Sequence, residues 1–275
     1  MGFLVPPAPW TARIAGIASR AVILLADDGA AISIVSRVED LDSRAFVIMD
    51  GFKEFLAAAS SALSLYEERA VAGYDGSMLS IAEGTTRTAA RTDMARIWDP
   101  REDLEKAAGH LGPKLVDAGR FVEDEVRAAH DAGRTFEGIH GEGMFAVAFA
   151  RLRDATTFPA NLVGFGPGST PAGDDWLSGY LTGRDLVEGG PGIAEPALRA
   201  AIAATLARTT ASGRALLAGV LAGAPPAYIV GLVLAATKIT MESSVRAAVR
   251  TALGHGATSG EDAMAGFIHA LRTSP

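Results

Sequence analysis

The sequence predicts an α+β protein in which a β-rich N-terminal half precedes an all-helical C-terminal half. Short apolar runs separated by Gly-containing turns occupy the first hundred residues, whereas apolar residues recur at helical spacing from Asp103 onward. Strands and helices that do not alternate argue against a βαβ arrangement. We therefore expect two regions, 1–100 and 101–275, the first of them a small barrel or sandwich.

The N-terminal half contains two predicted hairpins. The apolar runs 20–26 and 31–36 flank Asp27-Asp28-Gly29, and a second turn lies at 74–77. Further strands are expected at 44–49, which ends at Asp50-Gly51, and at 85–92. The segment 55–65 is compatible with a short helix or with a pair of strands. Asp99-Pro100 predicts the break between the halves.

The C-terminal half contains apolar residues at intervals of three and four. This pattern predicts helices over 104–111, 115–122, 144–152, 194–222, 227–236, 242–252 and 261–272. The long 194–222 segment contains Gly213, where we expect a possible break, and a Gly-rich connection covers 135–143.

Composition excludes several classes of function. The chain has 32 acidic and 25 basic residues, a net charge of -7, and therefore no basic surface of the kind that binds nucleic acid. The absence of cysteine excludes disulfides, thiolate nucleophiles and cysteine metal ligands. The apolar runs 21–26 and 224–237 are too short or too Pro-rich to be a signal core or a membrane span. We expect a cytoplasmic protein without membrane or nucleic-acid partners.

The first candidate site is a glycine-rich loop. Five glycines and two prolines lie within Gly164–Gly179, and three of these glycines alternate at 164, 166 and 168. Such glycines allow positive φ angles and leave backbone N–H groups exposed. The pair Asp174-Asp175 then begins a helix. A glycine loop that ends at a helix N-terminus favours the binding of anions.

A second loop repeats this pattern. The segment Gly168 to Gly179 aligns with Gly256 to Gly266 when one residue is deleted, so that the glycines, a threonine and the acidic pair match. We interpret the two segments as a duplicated loop-helix unit. Two such loops can converge on one small anion. The candidate ligand-binding residues are Gly166, Gly168, Ser169, Thr170, Gly173, Gly256, Thr258, Ser259, Gly260 and Asp262.

Three side chains are candidates for catalysis. Asp174 or Asp175 could act as a base or orient an N–H group of the ligand, and His255, flanked by two glycines, is the best-placed residue of the type used for proton transfer. Alternatively, Asp174, Asp175 and Asp262 could hold Mg²⁺. A purely structural interpretation also exists, because acids and hydroxyls at these positions commonly cap helices.

The remaining motifs are less informative. No Gly-Lys-Ser/Thr follows the first loop, and no strand in a βαβ context precedes it, so it is neither a P-loop nor a dinucleotide fingerprint. The other histidines have no spacing typical of metal ligands, and we expect them at the surface. They are His110, His130, His140 and His269.

The two loops carry a family resemblance. The run from Gly166 to Gly179 resembles the signature of the AllH family, and Ala252 to Asp262 is similar to that family's C-terminal Leu-Gly-His segment. Departures from the family pattern are an extra residue after His255 and the residues Ser169 and Gly173. The stretch 16–35 is also similar.

The resemblance implies a subunit of oxamate carbamoyltransferase, an enzyme of allantoin and purine nitrogen breakdown. Such an enzyme passes a carbamoyl group from oxalurate to phosphate, giving carbamoyl phosphate and oxamate. The implied partners are a small anionic substrate and subunits that resemble components of acyl-CoA synthetases. Two alternatives stay open at this point: a non-catalytic binding or scaffolding subunit of such a complex, and a metal-dependent hydrolase.

Overall fold

The chain divides into two units, Met1–Asp99 and Pro100–Pro275. The computed structural model describes residues 1–27, 29, 31–66, 70–83, 86–92, 96–132 and 144–273. Residues 135–143, for which a Gly-rich connection was predicted, and His140 lie outside these ranges. Within the described residues, no helix is both long enough and apolar enough to cross a bilayer.

The N-terminal unit is built on one seven-stranded sheet with the order β4-β3-β2-β1-β5-β6-β7. Its strands are β1 (Trp10–Ala18), β2 (Ala21–Leu25), β3 (Ala31–Val35), β4 (Ala45–Val47), β5 (Val71–Tyr74), β6 (Met78–Glu83) and β7 (Thr86–Arg91). Neighbouring strands are antiparallel except β3 and β4, which are parallel.

Helix α1 (Phe52–Tyr66) packs against this sheet. Phe55 of α1 shares a buried core with inward-facing strand residues such as Leu24 and Ile32, which are paired across β2 and β3. Both predicted hairpins are present, and 55–65 is helical. The unit is one sheet covered by a helix rather than the expected small barrel or sandwich, and β1 was not predicted.

The C-terminal unit is helical, which confirms the predicted α+β class. Its helices are α2 (Arg101–Leu111), α3 (Leu115–Asp131), α4 (Met144–Arg153), α5 (Ala172–Glu188), α6 (Pro196–Thr205), α7 (Ala211–Leu221), α8 (Ala227–Ala236), α9 (Met241–Leu253) and α10 (Ser259–Arg272).

The break in the predicted 194–222 helix does not lie at Gly213. The helix ends before residues 206–210, and Thr210 begins α7 by accepting a hydrogen bond at its hydroxyl from the N–H of Gly213, at 2.9 Å. Gly213 lies inside α7, where a Cβ atom would overlap the side chains of Asp174 and Thr209. This glycine therefore permits a close contact rather than a break.

Helices α5 and α10 cross backbone to backbone. A Cβ on Gly179 would overlap the carbonyl oxygen of Ala263, and a Cβ on Gly266 would overlap the carbonyl oxygen of Trp176. The two contacts are reciprocal, because residues 176 and 179 of α5 correspond to residues 263 and 266 of α10. Glycine is required at both positions because any side chain would push the helices apart.

The C-terminal end of α5 is held by a buried ion pair. Both carboxylate oxygens of Asp185 lie 2.7 Å from Nη2 of Arg199 in α6, and they also accept hydrogen bonds from the N–H groups of Gly192 and Ala194. The guanidinium further donates to the carbonyl of Val220 in α7. This satisfied network fixes α6 and α7 relative to α5, and so fixes the segment that carries Thr209.

Gly179→Ala and Gly266→Ala should each destabilise the C-terminal unit by about 3 kcal/mol or more, because overpacking against backbone cannot be relieved by a rotamer change. Chemical denaturation followed by circular dichroism measures the loss. Gly231→Ala, in α8 with open space at its Cβ position, is the matched control and should be neutral or stabilising. Equal stability of all three variants would contradict the close crossing.

Candidate functional site

Asp174 holds the first loop in place through hydrogen bonds on the buried side of the loop. This side chain is fully buried at the start of α5, and its Oδ1 accepts a hydrogen bond from the N–H of Gly164 at 2.8 Å. Its Oδ2 accepts one from the hydroxyl of Thr209. Burial raises the pKa of Asp174 to about 6, although both hydrogen bonds act in the opposite direction. Asp174 therefore organises the loop rather than facing solvent.

The second loop has the same backbone hydrogen bonds as the first. The N–H of Gly173 donates to the carbonyl of Phe165 (2.8 Å), and the N–H of Gly260 donates to the carbonyl of His255 (3.2 Å). Phe165 is thus equivalent to His255. Seven residues separate Phe165 from Gly173 and four separate His255 from Gly260, so the second loop is three residues shorter. The alignment with a single deletion, made from sequence, is therefore wrong within the loop.

Gly173 and Gly260 have a packing role in these loops. Both are buried, and a Cβ on Gly173 would overlap the carbonyl oxygen of Leu162, while one on Gly260 would overlap that of Ala252. Their N–H groups are used inside the loops. The structure does not present these two predicted ligand-binding residues at the surface.

The two loops meet at a pair of hydroxyl groups. Oγ1 of Thr170 and Oγ of Ser259 lie 3.2 Å apart, and both hydroxyls also hydrogen-bond the carboxyl group of Asp175. Thr170 and Ser259 are half-buried, whereas Asp175 is 2% exposed. Asp175 thus lies directly beneath the junction of the loops.

Asp175 is buried among other acids. Burial raises its pKa well above the ordinary 3.8, and the charges of Asp262 and Asp174 raise it further, against the hydrogen bonds from Ser259 and Thr170. Asp262 occupies the position in α10 that Asp175 occupies in α5, and the neighbouring Glu261 is also buried. The junction therefore combines buried carboxyl groups from both repeats.

One oxygen of Asp175, Oδ2, is buried without a hydrogen-bond partner. An unsatisfied buried acceptor costs about 1–3 kcal/mol of stability, so such atoms are uncommon in folded proteins. This oxygen lies among the buried carboxyl groups where the two loops meet.

Tyr228 of α8 is a site residue that sequence reasoning missed. Its ring stacks on the imidazole of His255, with centroids 4.3 Å apart and an interplanar angle of 25°. Burial raises the pKa of Tyr228 well above 10, and the nearby charges of Asp175 and Asp262 raise it further. Tyr228 lies in an uninterrupted apolar run, so the sequence offers no signal that separates it from ordinary core residues.

The outer surface of the site consists of the remaining predicted residues. Gly168, Ser169 and Gly256 are exposed, and Gly166, Gly168 and Gly256 have φ angles of 105°, 101° and 62°. The carbonyl of Ser169 accepts a hydrogen bond from the hydroxyl of Thr210. Thr258 is half-buried and precedes the first residue of α10, but its side chain makes no capping hydrogen bond there.

The acids of the site are not arranged as a metal centre. Across the described part of the chain, no group of three or more His, Asp or Glu side chains is placed to hold a metal ion. Both carboxylate oxygens of Asp174 are engaged by Gly164 and Thr209. The Mg²⁺ site considered for Asp174, Asp175 and Asp262 therefore does not fit this donor geometry.

The region that contains both loops matches a family model. Residues 162–271 match the AllH family. The matching family model is described as oxamate carbamoyltransferase subunit AllH. The resemblance inferred from the two loops is thus confirmed over this range, which extends from the residue buried against Gly173 to the last turn of α10. The similarity proposed for 16–35 lies outside the match. Comparisons with curated proteins and with solved structures gave no match.

Asp174→Asn should stabilise the protein more at neutral pH than at pH 4. The pKa of Asp174 is about 6 in the folded chain against an ordinary 3.8, so the folded state binds more protons between these values and loses stability as the pH rises through them. The variant should remove about 2–3 kcal/mol of this loss. Urea denaturation at pH 4 to 7.5 measures it.

The exposed Asp117→Asn, in the first turn of α3, is the control for loss of one negative charge. A stability difference between the Asp174 variant and the parent that does not change with pH would contradict the burial of an ionisable group at this position.

Proposed function

We propose that this chain is a subunit of an oxamate carbamoyltransferase or a related carbamoyl-transfer complex, and that its two glycine loops form the reacting site. The observation that carries the proposal is the junction of Thr170 and Ser259, 3.2 Å apart above Asp175, inside the region that matches the family. The junction brings hydroxyl groups from two loops that are far apart in sequence to one buried carboxyl group.

The proposed reaction needs anions to be held and a carbonyl group to be polarised. Phosphate attacks the ureido carbon of oxalurate, the bond from that carbon to the oxamate nitrogen breaks, and the nitrogen takes up a proton. Backbone N–H groups of the exposed glycines, such as Gly168 and Gly256, suit the phosphate and carboxylate oxygens. No covalent nucleophile is required, in keeping with a chain that lacks cysteine.

Asp175 is the proposed proton donor. Burial and neighbouring acids raise the pKa of Asp175 and so favour the protonated form of its carboxyl group, which is the form that a general acid needs. The hydroxyls of Thr170 and Ser259 orient it. We propose that the subunit works in the cytoplasm with synthetase-like partners, and that oxalurate, oxamate and phosphate are its ligands.

A second candidate is a non-catalytic subunit that binds the ligand while a partner performs the chemistry. The burial of Asp174, Asp175 and Asp262 inside this chain favours it, because buried acids can serve mainly to shape the loops. The same experiment separates the two candidates.

In the complex purified from its own cells through a tag on the full chain, Asp175→Asn should lower kcat for carbamoyl phosphate formation by about 100-fold or more, because a general acid contributes about 10²–10⁴-fold. Ser259→Ala should lower it less, by about tenfold, since one orienting hydrogen bond is lost. The assay measures carbamoyl phosphate formed from oxalurate and phosphate.

Asp117→Asn should leave turnover unchanged and serves as the matched control. If Asp175→Asn assembles and retains turnover, the site is not catalytic and the binding subunit is the better description. If the parent complex forms no carbamoyl phosphate, the reaction itself is wrongly assigned.

A further inference from the structure

The segment 208–214, which leads into α7, packs along the first loop. The hydroxyl of Thr210 donates a hydrogen bond to the carbonyl of Ser169. A Cβ atom on Gly164 would lie 2.5 Å from the carbonyl oxygen of Arg208, so the two backbones touch there as well. The segment is therefore in direct contact with the exposed part of the loop.

This segment carries an arginine at each end. Neither the Arg208 nor the Arg214 guanidinium makes a hydrogen bond or an ion pair with any residue that the structure describes, and Nε of Arg214 is buried without a partner. Arg208 is exposed and Arg214 is half-buried. The acid that lies against the segment, Asp174, uses its two oxygens for Gly164 and Thr209. Two cationic groups are thus left without a partner beside the loop.

The side chain of Arg214 leans toward the loop. A helical side chain points toward the N-terminus of its helix and lies over the residue four positions earlier. For Arg214 this residue is Thr210, which holds Ser169 of the loop. Side chains four residues apart on a helix have Cβ atoms about 5–6 Å apart, which is shorter than an extended arginine side chain. The guanidinium of Arg214 is therefore within reach of the loop surface.

The same part of the loop presents backbone donors. The N–H groups of Gly168, Ser169 and Thr170 have no hydrogen-bond acceptor among the residues that the structure describes. Gly168, with a φ angle of 101°, and Ser169 are both exposed. Successive N–H groups in a turn of this kind form a concave site for an anion.

We propose that Arg214, assisted by Arg208, binds an oxyanion against the exposed backbone N–H groups of the first loop. A guanidinium presents parallel N–H groups that match two oxygens of a phosphate or a carboxylate. The inference rests on the proposed function for the identity of the anion, which is inorganic phosphate or the carboxylate of oxamate. It adds Arg214 as a binding residue.

The arginines that precede the second loop are already paired. Arg246 and Arg250 of α9 both bind Glu125 of α3. Their charge is therefore compensated by the protein itself. The first loop differs because its neighbouring guanidinium groups have donors to spare, and this difference assigns the anion to the first loop.

The test is calorimetric titration of the full chain at constant ionic strength with phosphate, oxamate and the uncharged acetamide. The parent should bind phosphate, oxamate or both. Arg214→Met should weaken that binding by about tenfold or more, because hydrogen bonds to a charged group are lost. The Tm without ligand should stay the same or rise, since the apolar stem is kept and an unpaired buried Nε is removed. Any affinity for acetamide should be unchanged.

The anion whose affinity falls identifies the occupant of the site. Loss for phosphate alone assigns the site to the attacking phosphate, and loss for oxamate alone assigns it to the carboxylate. Arg208→Gln should weaken binding less, by about two- to threefold, because an exposed charge is screened by water.

Arg120→Gln, at the surface of α3, is the matched control for loss of one positive charge and should bind as the parent does. A second variant, Arg214→Gln, should show the same loss as Arg214→Met and decides the question if that variant is unstable. The proposal is overturned if neither anion binds the parent, or if the Arg214 variants bind as tightly as the parent. A lower Tm with unchanged affinity would assign Arg214 to packing alone.

Failure of the proposed function has a different signature. If the complex forms no carbamoyl phosphate but the chain binds either anion in a manner that depends on Arg214, the anion site stands and the reaction fails. If carbamoyl phosphate forms and Arg214→Met leaves kcat, KM and anion affinity unchanged, the reaction stands and the anion site fails.

Discussion

The close crossing of α5 and α10 is the constraint on which the site depends. Each helix lays a glycine against the backbone of the other, at equivalent positions of the two repeats. Because each glycine loop leads directly into one of these helices, the crossing also fixes the distance between the loops. A larger residue at Gly179 or Gly266 would separate the helices, and Thr170 and Ser259 could no longer meet above Asp175. Packing and site geometry are therefore one property of this unit.

The same arrangement makes the site costly to fold. Four acidic residues begin the two crossing helices, where the helix dipoles favour negative charge, yet all four are almost completely removed from water. Asp174 is compensated by the loop, through Gly164 and Thr209. Asp175 keeps one carboxyl oxygen, Oδ2, for which the protein supplies no hydrogen bond. The folded state therefore lacks the stabilisation that a further hydrogen bond would give, which is typical of positions kept for binding or chemistry.

The sequence was sufficient for those features that depend on local pattern. Hairpins, helix spans and the two loops followed from turn residues and apolar spacing, and α8 was predicted with its observed bounds. Features set by tertiary contact were not predicted. Gly213 resembles a helix break, but it lies within α7 because Asp174 and Thr209 pack against its backbone. Tyr228 could not be separated from core residues, because its role comes from a ring contact with His255, 27 residues later in the chain. The alignment with a single deletion was wrong within the loop, because matching residue types do not show which carbonyl oxygen accepts the hydrogen bond from each glycine N–H.

The two repeats share a backbone scaffold but differ in the side chains that they carry on it. Trp176 in the first repeat belongs to an aromatic cluster and stacks on Tyr180 at 5.1 Å, whereas its equivalent, Ala263, leaves only backbone at the crossing. In the loops the asymmetry is reversed, because Phe165 has no polar group and His255 stacks on Tyr228. The longer first loop therefore supplies exposed backbone at Gly168 and Ser169, whereas the shorter second loop supplies an imidazole that packs against a buried ring of α8. The two repeats share one scaffold, and their loops differ in length and in side-chain chemistry.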